Sequence, residues 1–191
     1  MTSLDHNFVQ WLNDAAQDQP IRALAILAAK YLAAVPPFLL VAVFVWAFWR
    51  RDTCAMAKSG LAGVGTAIAL VANQVVGQFV TRGRPYSVLA SVHAIGTKNG
   101  DSSFYSDHTT LAVGTAIGVL LVSRRLGIVA LVIAAMVGAG RIAVGAHYPS
   151  DVLAAAAAAG VFVAAMVVLT APVQRLLDRL IPPRKPTVSP G

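Results

Sequence analysis

The chain is expected to be all-α, a polytopic membrane bundle of five or six transmembrane helices, and three observations carry that expectation. Of its 191 residues, 57% are hydrophobic and only 12% charged, about half the charged fraction of a typical soluble domain. Several apolar stretches approach the ~20 residues needed to cross a hydrocarbon core. The basic residues stand beside those stretches, where headgroups and topology account for them.

The elements follow in order. Residues 3–17 place Leu4, Phe8, Trp11, Leu12 and Ala15 at helical spacing with polar residues between, the pattern of a short helix lying in the membrane interface. Five spans are expected near 31–49, 60–80, 108–123, 126–145 and 152–172. The first can begin near Ile21, with Lys30 snorkelling to the surface. Pro36-Pro37 should kink it, because neither proline donates a backbone hydrogen bond. Trp46, Trp49, Arg50 and Arg51 close it as an interfacial belt. Gly114 with Gly118, and Ala156 with Gly160, would let helices pack closely. The chain thus divides into an interfacial segment (1–20), a membrane domain (21–174) and a basic tail (175–191).

Charge gives the topology. Arg50, Arg51, Lys58, Arg124, Arg125, Arg175, Arg179, Arg184 and Lys185 fall on one side of the five spans, and Arg22, Lys30, Arg82, Arg84, Lys98 and Arg141 on the other. The positive-inside rule makes the first side cytoplasmic and the 81–107 loop external. The net charge of +7 comes without aromatic-interleaved basic patches, so nucleic acid is not an expected partner. Cys54 stands alone among eight aspartates and no glutamate, which excludes an intrachain disulfide and a cysteine metal site. The acidic start, with Asp5, Asp14 and Asp18, speaks against a cleaved signal peptide.

Three polar clusters land on the external side: Thr81 to Tyr86; Ser106-Asp107-His108; and Arg141, His147 and Asp151. These residue types suit phosphoryl transfer, which is chiefly positioning and charge stabilisation. Arg84 and Arg141 can clamp phosphate oxygens with planar, permanently charged forks. Ser106 can donate its hydroxyl, beside backbone N–H groups of a helix start that favour an anion. Two histidines can divide nucleophilic and acid roles, and Asp151, four residues after His147, can orient an imidazole. His6 and His93, lacking such neighbours, read as structural. Asn73, Gln74 and Gln78 read as interhelical hydrogen-bond formers. Tyr86 and Tyr105 suit either a headgroup site or an interface anchor.

At these residues the chain resembles the type 2 phosphatidic acid phosphatase superfamily, whose motifs are K-x6-R-P, P-S-G-H and S-R-x5-H-x3-D. Arg84-Pro85 matches the end of the first motif, Ser106 and His108 match the second, and Arg141, His147 and Asp151 match the third without its leading serine. The S-D-H and R-x-R-P forms, with Ala-Lys-Tyr-Leu at 29–32, resemble the branch of bacitracin-resistance undecaprenyl-diphosphate phosphatases. The resemblance implies that His147 attacks phosphorus to form a phosphohistidine. It further implies that His108 protonates the leaving oxygen, that Asp151 orients His147, and that the arginines with Ser106 hold the phosphate. Neither a metal nor another cofactor is implied. Gly77 occupies the family's lysine position, and Arg82, at the outer end of the second span, is expected to reach inward as the replacement cation; its alternative is to meet lipid headgroups. Asp107 replaces a glycine beside the phosphate, where its carboxylate must turn away or pair with an arginine.

The expected function is hydrolysis of undecaprenyl diphosphate to the monophosphate on the outer face of a bacterial plasma membrane. Phosphatidylglycerophosphate, phosphatidate and a prenyl-phosphosugar remain alternative substrates, and a non-catalytic anion-binding or transport site is the rival of another class. Lipids are the expected partners; oligomeric state is left open.

Overall fold

The computed structural model describes residues 3–96, 100 and 102–181. Lys98, Arg184 and Lys185, counted above, and the tail beyond Ile181 lie outside them. Among the described residues every regular element is helical. Helix α1 is Ser3–Ala15, α2 is Ile21–Arg50, and α3 is Thr53–Phe79. A one-turn α4, Pro85–Val88, leads by a loop to α5, Asp107–Val122. Then come α6 (Arg124–Ala143), α7 (Pro149–Val167) and α8 (Thr170–Leu180).

Four of these, α2, α3, α6 and α7, are long and apolar enough to cross a membrane. Helix α5 is shorter, at 16 residues, or about 24 Å of rise. It is the middle of the bundle, packed against α2, α3, α6 and α7. Its small residues make that possible. A Cβ on Gly114 would meet Thr66 at 2.4 Å, and one on Gly118 would meet Ala62 at 2.8 Å. The expected Ala156–Gly160 face is displaced by one position. Asp151, Ala155, Ala159 and Val163 are the buried line of α7, while a Cβ on Gly160 would meet nothing.

The span boundaries shift for identifiable reasons. Pro36 and Pro37 cannot donate to the carbonyls one turn before them. The irregularity they impose lies ahead of them, as a π-helical turn at Leu27–Tyr31 and a 3-10 turn at Leu32–Ala34. Helix α3 starts at Thr53 rather than residue 60, because the Asp52 carboxylate caps it by accepting from Ala55 N at 3.0 Å. Lys58 is half-buried inside that helix instead of preceding it. The last span ends at Val167, and a separate α8 takes in residues 175–180, the start of what the sequence suggested was tail. Pro172 denies a hydrogen bond to the carbonyl of Val168, and α8 turns back onto α3, where Thr53 Oγ1 donates to Asp178 Oδ1 at 2.6 Å.

Helix α1 is amphipathic, with its apolar and its protein-facing residues on different sides. Leu4, Phe8 and Trp11 face outward, whereas Asp5, Val9 and Asn13, at i, i+4 and i+8, are its buried face. Asn13 ties α1 to the long loop and to the end of α6. It donates to His93 O at 2.9 Å and Ala143 O at 2.8 Å, and accepts from His93 N at 2.8 Å. The N-terminal helix, the 80–106 loop and the α6–α7 turn are thereby held together at one end of the bundle.

Candidate active site

The three polar clusters converge at that end. Arg84 precedes Pro85, which favours an extended residue before it; Arg84 is extended at φ −69°, ψ 147°, and buried. Arg141 is in the last turn of α6. Gly145, at φ +74°, takes the left-handed conformation that glycine adopts without steric cost, so the chain reverses and delivers His147 beside Arg141.

His147 is 3% exposed. Its Nδ1 lies 2.7 Å from the Ser103 carbonyl oxygen. A carbonyl only accepts, so Nδ1 carries the proton and Nε2 presents its lone pair. Arg84 Nη1 and Arg141 Nη2 approach that Nε2 at 3.3 and 3.2 Å. Burial above all, then the charges of Arg141 and Arg84, hold the imidazole well below the usual histidine range, outweighing the opposing bond to Ser103. The ring is therefore neutral near pH 7, with the Nε2 lone pair facing two guanidinium groups.

A cavity of about 310 Å³ opens in front of it, lined by Arg84, Arg141, His147, His108, Asp107 and the α3 residues Asn73, Gln74, Gly77 and Gln78 among others. Asn73 fixes the wall opposite His147. It donates to Tyr105 O at 2.7 Å and to Asp107 Oδ1, and accepts from Tyr105 N at 3.0 Å. Gln74 Nε2 donates to Asp107 Oδ2 at 2.9 Å. Of the two expected alternatives, turning away or pairing with an arginine, neither describes the bonds Asp107 makes: two α3 amides hold it, next to His108 at the start of α5. The Gly77 site is open: a Cβ there would have no neighbour within 4 Å.

Several expected roles change. Arg82 does not line this cavity. Its guanidinium reaches Asp5 at 3.0 Å, Ser150 Oγ at 2.8 Å and Asp151, and stacks over the Tyr148 ring at 4.2 Å. The side chain turns behind His147 because two buried carboxylates are there to receive it. Ser106 is wholly buried and away from the cavity wall, accepting at the start of α5 from Thr109 N (3.4 Å) and Thr109 Oγ1 (3.1 Å). Asp151 Oδ2 is 3.9 Å from His147 Nδ1, beyond hydrogen-bond range. It accepts instead from Tyr148 N at 2.8 Å.

Ser103 and Asp5 escaped the sequence reading. Ser103 acts through its backbone, which leaves no side-chain signal. Asp5 accepts from Ser150 N at 3.1 Å, Ser150 Oγ at 2.7 Å and Arg82. Its spacing with Val9 and Asn13 was the available sign.

A membrane helix bundle that gathers two arginines and two histidines around one cavity at one end is the class that fold and geometry define. The chain belongs to the PAP2 superfamily, whose sequence model matches residues 59–175. It is 32% identical over 124 residues to a protein of Bacillus subtilis (strain 168) named undecaprenyl-diphosphatase BcrC, a match covering 63% of this chain and 61% of that protein. It is 28% identical over 185 residues to the bacitracin transport permease protein BcrC of Bacillus licheniformis, covering 94% and 87%. No solved structure matches the chain.

Proposed function

We propose that the protein is a membrane lipid phosphatase that converts undecaprenyl diphosphate to undecaprenyl phosphate through a phosphohistidine. The observation that carries this reading is the fixed tautomer of His147, with Nε2 set between Arg84 and Arg141. Family membership and the name of the B. subtilis relative support the substrate class. Passage of an anion would need the cations but not a histidine locked in its nucleophilic form.

In the first step Nε2 attacks the terminal phosphorus while Arg84 and Arg141 neutralise its oxygens. The P–N bond forms as the P–O bond to the inner phosphate breaks, and His108 gives its proton to the departing oxygen. The ring becomes cationic as it is phosphorylated. The Nδ1–H bond to Ser103 O then strengthens, and Asp151 nearby offsets the charge, a gain made only as the reaction proceeds. Undecaprenyl phosphate leaves, and His108 takes a proton from the water that attacks the phosphohistidine. The P–N bond breaks, inorganic phosphate is released and both histidines return to their starting states. Asp107 shapes the wall and presents His108, Ser106 caps the helix that carries it, and Arg82 with Asp151 braces the His147 loop. The charge distribution supports an orientation with the site on the external face of the plasma membrane.

Purified protein offered undecaprenyl diphosphate, phosphatidylglycerophosphate and phosphatidate side by side is expected to release phosphate fastest from the first. A clear preference for either monophosphate lipid would overturn the substrate assignment.

A further inference from the structure

Arg82 is engaged behind His147 and the Gly77 position carries no side chain, so a diphosphate's second phosphate needs a cation from elsewhere. A second cavity, of about 450 Å³, adjoins the first. Arg84, His108 and Arg141 line both; His147 lines the first and Lys30 the second. The remaining wall includes Ile26, Tyr86, Ile95 and Val144. Lys30 lies in the π-helical turn Leu27–Tyr31, the kind of local widening often found at functional sites. That turn is pressed close to Arg141, because a Cβ on Gly140 would lie 2.6 Å from Ala29 N. Glycine at 140 is what lets the Lys30 turn approach the phosphate-binding arginine. The Lys30 side chain is exposed, its ammonium 5.5 Å from the Tyr31 ring centroid, so only an exposed contact must be exchanged for a phosphate.

We infer that Lys30 and the cavity it lines hold the inner phosphate of a diphosphate lipid, making Lys30 a specificity-determining residue for diphosphate over monophosphate. The inference rests on the lipid diphosphatase reading and adds to it where the leaving group lies. In an in-line displacement the leaving oxygen stands opposite the attacking nitrogen, and His108 must reach that oxygen. The inner phosphate is therefore on the His108 side of the reacting phosphorus. Two spaces open there. The groove of Leu70, Val71 and Leu111 has Asp107 but no arginine or lysine on its wall, so no permanent cation there offsets a second phosphate. The other carries Lys30 together with the shared arginines, and its apolar wall can receive the first isoprenoid units.

Farnesyl diphosphate and farnesyl phosphate, with one tail and different headgroups, provide the test. In Lys30→Gln the ratio of kcat/KM for diphosphate to that for monophosphate is expected to fall about tenfold. Lys30→Arg should recover most of that ratio, since a cation is retained. Inorganic pyrophosphate should lose potency as an inhibitor of Lys30→Gln more than orthophosphate does. The monophosphate rate shows that each variant is folded. An unchanged ratio with unchanged pyrophosphate inhibition would return Lys30 to the role of an interface anchor and leave the parent reading standing. A wild-type protein that hydrolyses the monophosphate but not the diphosphate would overturn both.

Discussion

At the scale of single residues, the proposed chemistry depends on a histidine kept neutral by burial and by two arginines. Only the neutral ring attacks, and its titration lies well below 6.5. Raising the pH through that titration therefore switches the nucleophile on, and activity lost to His147 protonation should appear only on the acid side of 6.5. Arg141→Gln removes one of the charges that depress the titration, so the acid limb of kcat/KM should move upward in pH while the rate falls about a hundredfold or more. A pH–rate profile of that variant with its acid limb unmoved would show that Arg141 does not set the ionisation of His147. Arg82→Gln has a different expected signature. Arg82 touches Asp5, Ser150 and Asp151 rather than the cavity, so kcat should drop through misplacement of the His147 loop, with KM for the lipid little changed.

Among the elements, α1 contributes most beyond what its length suggests. Asn13→Ala would strip partners from His93 N, His93 O and Ala143 O. With a buried orphaned group costing about 1–3 kcal/mol, the total loss should be roughly 2–4 kcal/mol, read as a lower Tm in detergent. Asp5→Ala should instead reduce kcat by about tenfold, through the loosened Arg82 and Ser150. This helix also shows why part of the structure was legible in the sequence and part was not. The apolar spacing of Leu4, Phe8 and Trp11 revealed a helix, but in a membrane protein the apolar face can be the outward one. The polar residues Asp5 and Asn13 were the ones facing protein. The same logic holds at the site. Arg84, His108, Arg141 and His147 stood out in the sequence because phosphoryl transfer would use such side chains, and the structure lines one cavity with all four. The Ser103 contact is backbone, and the destination of Arg82 depended on a carboxylate 77 residues away, which no local pattern encodes.

For the whole molecule, orientation and chemistry can be tested separately. Cys54 lies in the first turn of α3, at the end opposite the cavity, and is half-buried. With the active site outside, a membrane-impermeant maleimide should label Cys54 only after cells are opened; labelling in intact cells would place the site in the cytoplasm. No group of three or more His, Cys, Asp or Glu side chains able to hold a metal gathers among the described residues. The two arginines supply the charge neutralisation, so phosphate release is expected to survive EDTA. Loss on chelation, restored by a divalent ion, would contradict that. Covalent chemistry at His147 is read directly by rapid quenching. Undecaprenyl diphosphate labelled in its terminal phosphate should transfer the label to the protein, in a bond that resists base and is broken by acid. Digestion should locate it on His147, and His147→Gln should carry none. Turnover of the lipid with no protein-bound phosphate at any quench time, or a label that persists in His147→Gln, would contradict the mechanism.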